Sequence, residues 1–262
     1  MNVHVVHLDD VTPEEQDASQ GWQISEFRLP ITGRHGSSST LFHSRFRPGS
    51  IHKKHRHYRS TEFVVYLSGD ALVGGGADRY RMPAMAFRAV PPGVEHFFFN
   101  DTRSGVAEMV GLYVGASDLP DSGYEFAGDV SPADVRAARM GSLNEARHPS
   151  GRIETRSGLQ ALLHTIDPVP SCAFFRSWHP GEARSIHLAP TAELIAYMVS
   201  GGGQLGHDGH LAPMRTGHVL FMPPGESRTL RLDSEIDLNI VGFLTGSTTP
   251  EAAGITTLVP NR

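Results

Sequence analysis

GSIHKKHRHYRSTEFVVYLSG, residues 49–69, and GEARSIHLAPTAELIAYMVSG, residues 181–201, are the same segment written twice. Pro48-Gly49 recurs as Pro180-Gly181, His55 as His187 and Ser68-Gly69 as Ser200-Gly201. Further along, Gly74 recurs as Gly206 and Pro91-Pro92-Gly93 as Pro223-Pro224-Gly225. Every pair is 132 residues apart (180 − 48, 225 − 93), with no gap between 48 and 93. A fixed offset held over such a span marks a duplication. The 262 residues are therefore two copies of one unit, each of ordinary domain size.

Inside each copy, Gly and Pro punctuate short runs such as STLFHSRF (39–46), FVVYLSG (63–69), EHFFFN (95–100) and HVLFMPPG (218–225). Turn signals about every eight to twelve residues between such runs indicate antiparallel strands in a sandwich or barrel. Two helices are expected. SPADVRAARM (131–140) has Ser131 as N-cap and Pro132 at the first helical position, and TPEEQDA (12–18) has Thr12 before Pro13, Glu14 and Glu15. The expected organisation is a first barrel over 1–130, a polar linker with its helix over 131–156, and a second barrel over 157–262.

The composition narrows the functional classes. With 23 Lys+Arg against 28 Asp+Glu there is no electrostatic footprint for nucleic acid or an anionic membrane. Cys172, the single cysteine, can form no internal disulfide, and MNVHVVHLDD carries acids where a signal peptide carries bases. No apolar stretch approaches the roughly 18 residues of a membrane span. A cytoplasmic protein is expected. Neither a phosphate loop nor a Gly-x-Ser-x-Gly elbow is present: GGGAD (74–78) reads as a turn. The feature needing an explanation is the count of 15 histidines.

Strand parity gives part of it. His55 and His57 fall on one face of a strand, with Arg56 on the other. A turn over 58–61 brings Glu62 to the start of the neighbouring antiparallel strand, and His96 follows the Pro-Gly turn of PPGVEHFFFN. Three imidazoles and a carboxylate converging inside a barrel suit a divalent transition metal.

At these residues the chain resembles the cupin superfamily. Gly49-x5-His55-x-His57-x4-Glu62-x6-Gly69, followed by Pro91-x-Gly93-x2-His96-x3-Asn100, is similar to both of its signature motifs. Met85 departs from the pattern, standing where the second motif begins with Gly. The resemblance implies a bicupin, two tandem antiparallel jelly-roll barrels, all-β with a few short helices. It also implies that His55, His57, Glu62 and His96 hold one divalent metal, Fe or Mn ahead of Ni, Zn and Cu. Such a site leaves up to two positions open for water or substrate, and Glu62 has a second candidate role as a base.

The second copy departs further. His187 is kept, but Ala189, Leu194 and Arg228 stand at the positions of His57, Glu62 and His96. Glu193 is one residue out of register, which on a strand is the opposite face. The second barrel is expected to be metal-free, with His187 and Arg228 as candidates for binding an anion, unless Arg228 pairs with Glu193 or Glu226. In the first barrel, Lys53, Tyr66, Phe98 and Asn100 are the candidates for the substrate pocket by parity, and Lys53, Lys54, Arg56 and Arg59 for steering an anionic substrate. The functional expectation is a metal-dependent enzyme acting on a small oxygen-rich metabolite. An oxygenase leads, followed by a non-redox isomerase, lyase or decarboxylase, and then a binding protein without turnover. A homodimer is the expected assembly.

Overall fold

The computed structural model describes residues 3–75, 78–136, 140–141, 149–154, 158–179, 183–207, 210–232 and 236–255. The first half runs β1 (His4–His7), β2 (Trp22–Gln23), β3 (Glu26–Ile31), β4 (Thr40–Phe46), β5 (Ile51–His57), β6 (Glu62–Ser68), β7 (Asp70–Gly75), β8 (Asp78–Pro83), β9 (Ala86–Val90), β10 (His96–Phe99), β11 (Ala107–Tyr113), β12 (Tyr124–Gly128), α1 (Pro132–Arg136), β13 (Met140–Gly141) and β14 (Ser150–Arg152). The second runs β15 (Leu159–Thr165), β16 (Ser171–Trp178), β17 (Ala183–His187), β18 (Glu193–Ser200), β19 (Gly202–His207), β20 (His210–Arg215), β21 (His218–Met222), β22 (Ser227–Leu232) and β23 (Leu238–Thr245). The fold is all-β, as the turn spacing implies. The repeated Pro180-Gly181 lies outside the described residues.

The chain divides into two compact units, Thr12–Gly33 with Ser38–Arg152, and Met1–Val11 with Arg34–Ser37 and Ile153–Arg262. In the first, one sheet has the order β12-β5-β10-β7-β8-β13, with β2 also on β5, and the other β14-β9-β6-β11-β4-β3. Their inner faces bury Phe46, Val64, Tyr66, Val73, Met82 and Phe98. In the second, the sheets are β1-β21-β18-β23-β16-β15 and β17-β22-β19-β20, around Phe174, Trp178, Leu194, Met198, Leu220 and Ile240. Each large apolar side chain withdrawn in this way stabilises the fold by roughly 1.5–3 kcal/mol.

The boundaries differ from the expected 1–130, 131–156 and 157–262. β1 pairs with β21 (His4↔Phe221 to His7↔His218) and so completes the second unit's sheet. β14 caps β9 of the first unit, and Gly151 is flush against the Phe87 ring, which a Cβ there would meet at 2.7 Å. Edge strands leave unpaired N–H and C=O groups, and these distant segments cover them. α1 begins as expected: the Ser131 hydroxyl accepts from the Asp134 N–H, and the Asp134 carboxylate accepts from the Ser131 N–H. Residues 137–139 and 142–148 of the expected linker are outside the described set. The expected helix over 12–18 does not form. The Glu14 N–H donates to the Phe27 carbonyl and the Gln16 side chain accepts from the Ile24 N–H, so this segment is used as a brace on the β3 side.

Candidate metal centre

Four buried side chains meet at one end of the first barrel. His55 and His57 come from β5 and His96 from the start of β10, opposite His55 in the ladder; Glu62 opens β6 in the other sheet. One ligand atom from each lies within 4.8 Å of all the others. The turn between β5 and β6 is fixed by the buried Ser60 hydroxyl on the Val114 carbonyl, the Val114 N–H on Thr61 and the Gly93 N–H on His57.

Local irregularity aims these residues. The ladder between β5 and β10 shifts register between His96↔His55 and Phe98↔His52, so Lys53 and Lys54 form a β-bulge. The bulge undoes simple alternation: His52, His55 and His57 all face inward and are buried, and Lys53 does not. Lys53 is therefore not a pocket residue; its Nζ meets Asp129 at 2.6 Å. The other basic residues are likewise engaged, Lys54 with Asp134, Arg56 with Glu125, and Arg59 with the carbonyls of Pro120 and Asp121.

The tautomers follow from the outer hydrogen bonds. His55 Nδ1–H donates to the Lys53 carbonyl at 2.7 Å and His96 Nδ1–H to the Val94 carbonyl at 2.9 Å. His57 Nδ1 lies 2.8 Å from Ser122 Oγ, whose own proton goes to the Leu119 carbonyl, so here too the imidazole donates. Each Nε2 is left as a lone pair. His57 and His96 present theirs to Glu62 Oε2 at 3.2 and 3.1 Å, and His57 Nε2 completes no hydrogen bond. Facing acceptors repel unless a cation lies between them. Ligand atoms about 2.1 Å from a common ion and at right angles are themselves about 3 Å apart, close to the spacing found. The donor set therefore fits a divalent transition metal, and outer partners of this kind orient histidine ligands.

Burial holds His55 and His57 below the ordinary imidazole pKa, which keeps them neutral and ready to ligate. Burial acts to raise the Glu62 carboxyl; in the metal-free chain a proton carried by His96 or His57 on the Nε2 that faces Oε2 outweighs it and holds the carboxyl well below the carboxylate range.

Of the remaining candidates, Tyr66 and Phe98 face inward and stack with centroids 5.7 Å apart. Asn100 is fully used by the fold: its amide donates to the Phe46 and Gly105 carbonyls, and its oxygen accepts from the Thr102 N–H and hydroxyl. In the second unit β17 pairs regularly with β22 from Ala183↔Arg231 to His187↔Ser227. Ile186 and Leu188 face the core there, and His187 is exposed. Arg228 lies opposite Ile186 and pairs with Glu226, so His187 and Arg228 do not converge. Leu194 is buried in that core, and Glu193, on the other face, accepts from the Ser37 hydroxyl.

Sequence reasoning missed His52, which stacks on His55 at 3.6 Å and points its Nε2 at the Tyr124 hydroxyl. It missed Ser122 as well. A bulge hid the first, and a turn more than sixty residues away supplied the second.

No protein-family model and no curated protein matches the chain. Solved structures do. YlbA from E. coli, described with the family model DUF861, superposes with a TM-score of 0.69 at 14% identity over 93% of this chain and 90% of that one. A single-substitution variant of Bacillus subtilis oxalate decarboxylase gives 0.66 at 14% identity over 94% and 77%, and an oxalate decarboxylase described for its Mn(II) centers gives 0.65 at 15% over 94% and 77%. The fold is that of a bicupin. At these identities the likeness concerns the fold. Within this fold, the His55, His57, Glu62 and His96 cluster is a candidate metal site. Among the described residues no helix is long and apolar enough to cross a membrane.

Proposed function

We propose that this bicupin is a metal-dependent enzyme that holds one divalent transition metal, Fe or Mn ahead of Ni, Zn and Cu, on His55, His57, Glu62 and His96, and acts on a small oxygen-rich metabolite. The observation that carries the reading is the convergence of three imidazole lone pairs on a carboxylate, each imidazole fixed by an acceptor at its far nitrogen. Bound there, the metal supplies Lewis acidity toward a chelated oxygen donor and, if it is iron, access to redox chemistry with dioxygen. The chain's own residues keep His55 and His57 neutral and bury all four donors. Glu62 spends Oε2 on the two imidazoles, and its Oε1 has no hydrogen-bond partner among the described residues. That oxygen is available to take a proton from a substrate carbon or hydroxyl.

Oxygenase chemistry is the first reading. Non-redox decarboxylase, lyase or isomerase chemistry is the second, supported by the likeness to oxalate decarboxylase described with Mn(II) centers. The second barrel is the metal-free partner. Elemental analysis of the purified chain, with oxygen uptake and carbon dioxide release measured on small hydroxy and oxo acids, separates these readings. Metal bound at one per chain with oxygen consumed supports the first, and carbon dioxide released without oxygen uptake supports the second. Metal and ligand bound with no turnover make it a binding protein, and no metal in any preparation overturns the reading. A homodimer is the proposed assembly, with light scattering as its test.

A further inference from the structure

Arg88 is a buried guanidinium that nothing in the metal site uses. In the ladder between β6 and β9 it lies directly opposite Val64, and Glu62 lies opposite Val90. Residues directly opposite share a face of the sheet. Arg88 therefore points the same way as Glu62, Val64 and Tyr66, into the first barrel. It is 9% exposed, forms no ion pair among the described residues, and leaves Nε without a hydrogen bond. The Tyr66 hydroxyl, 1% exposed, completes no hydrogen bond of ordinary geometry, although the Arg88 guanidinium acts on it both as a charge and as a neighbouring hydrogen-bonding group. Glu62 forms no ion pair with Arg88; the carboxylate oxygen it engages, Oε2, faces His57 and His96.

A buried charge with no partner is expensive, and such groups are retained where a ligand completes them. The duplication provides an internal control. The positions 132 residues on are Leu220, opposite Ala196 in the same register, and Met198, both apolar core. The guanidinium and the phenol occur in the barrel that carries the metal ligands, and both are replaced by apolar side chains in the barrel that lacks them.

We infer that Arg88 and Tyr66 form an anion subsite that anchors one carboxylate of the substrate inside the first barrel, so that the substrate is a small monocarboxylate carrying a further oxygen donor. This inference rests on the proposed metal centre, which takes that second donor. A planar guanidinium matches a carboxylate through two parallel N–H bonds, and its single charge matches a monoanion better than a phosphate dianion. The Tyr66 hydroxyl stays protonated, burial pushing its pKa up to about 12, and so can donate.

The test is calorimetric titration of glycolate, acetate and inorganic phosphate into the full chain, both chelator-treated and Mn(II)-loaded, for wild type, Arg88→Met and Arg88→Lys. Wild type is expected to bind glycolate in both forms, and more tightly when loaded. Arg88→Met should weaken glycolate about tenfold or more in both forms while leaving Mn(II) affinity unchanged, with Arg88→Lys intermediate. Removing an unpaired buried charge should leave the melting temperature unchanged or raised, whereas loss of a structural arginine would lower it. Glycolate binding that ignores Arg88, binding of phosphate in preference to glycolate, or no carboxylate binding by wild type at millimolar concentration overturns the inference. If Arg88→Met does not fold, the Lys variant binding glycolate as wild type does overturns it instead. Arg88-dependent glycolate binding by a chain that takes up no Mn(II) would sink the metal reading and leave the anion subsite standing.

Discussion

β5 and β17 are copies of one strand, and they differ by a bulge. In β5 the extra residue at Lys53-Lys54 turns His55 and His57 into the barrel; in β17 the ladder is regular, Ile186 and Leu188 fill the core, and His187 faces out. The second copy thus lost more than ligand identities. Its remaining histidine is on the other face, so the convergence of the candidate ligands depends on backbone register as much as on side chains.

The largest expected effect tests the first copy alone. His57→Ala or Glu62→Ala should lower metal affinity about a hundredfold or more, since each removes a direct ligand, and elemental analysis of the variants should show the metal gone. Retention of wild-type stoichiometry would show the site is misassigned. The comparison itself is broken or kept by grafting: Ala189→His, Leu194→Glu and Arg228→His restore the ligand types in the second barrel without the bulge. The metal content should stay at about one per chain, because His187 still faces solvent.

Acid provides the next contrast. His52, His55 and His57 are held below their unfolded value near 6.5, chiefly by burial. The unfolded chain therefore binds more protons below that pH, and stability falls as the pH drops through it. The slope approaches about 1.4 kcal/mol per pH unit for each such histidine. Glu62 adds in the same direction at lower pH, since its depressed pKa stabilises the fold above about 4.5 and that contribution is lost as protons are taken up. Thermal unfolding of the metal-free chain between neutrality and pH 5 measures this, and a flat profile would contradict the buried, neutral assignment.

Ser122→Ala, which removes the acceptor behind His57, should weaken metal binding by about tenfold without abolishing it. The smallest effect sits at Met85, which keeps a left-handed φ of +64°; its counterpart Gly217 has +87°. A side chain in that region costs on the order of 1 kcal/mol, so Met85→Gly should raise stability by about that much in chemical denaturation.

The duplication, the strands and the four candidate ligands were legible because a constant offset and paired motifs survive in linear sequence. Glu193's outward face was legible for the same reason, as β18 pairs regularly from Glu193 to Met198. His52 was missed and Lys53 misplaced because a bulge exchanges faces without leaving a mark in residue type. Asn100 looked like a wall residue by parity, yet the local turn claims its side chain through three hydrogen bonds and the Phe46 carbonyl through a fourth. Arg88 was overlooked because its significance lies in the lack of a partner, which only three dimensions reveal.

The pairing of β1 with β21 has a consequence for synthesis. His4 leaves the ribosome 217 residues ahead of Phe221, its ladder partner (221 − 4). At about 5–20 residues per second the first strand waits roughly ten seconds or more for its place, while the barrel of Thr12–Arg152 can close in the interval. The second barrel is thus completed by its oldest segment, and an N-terminal deletion that spares every candidate ligand should act as a late assembly defect, exposing the β21 edge to intermolecular pairing.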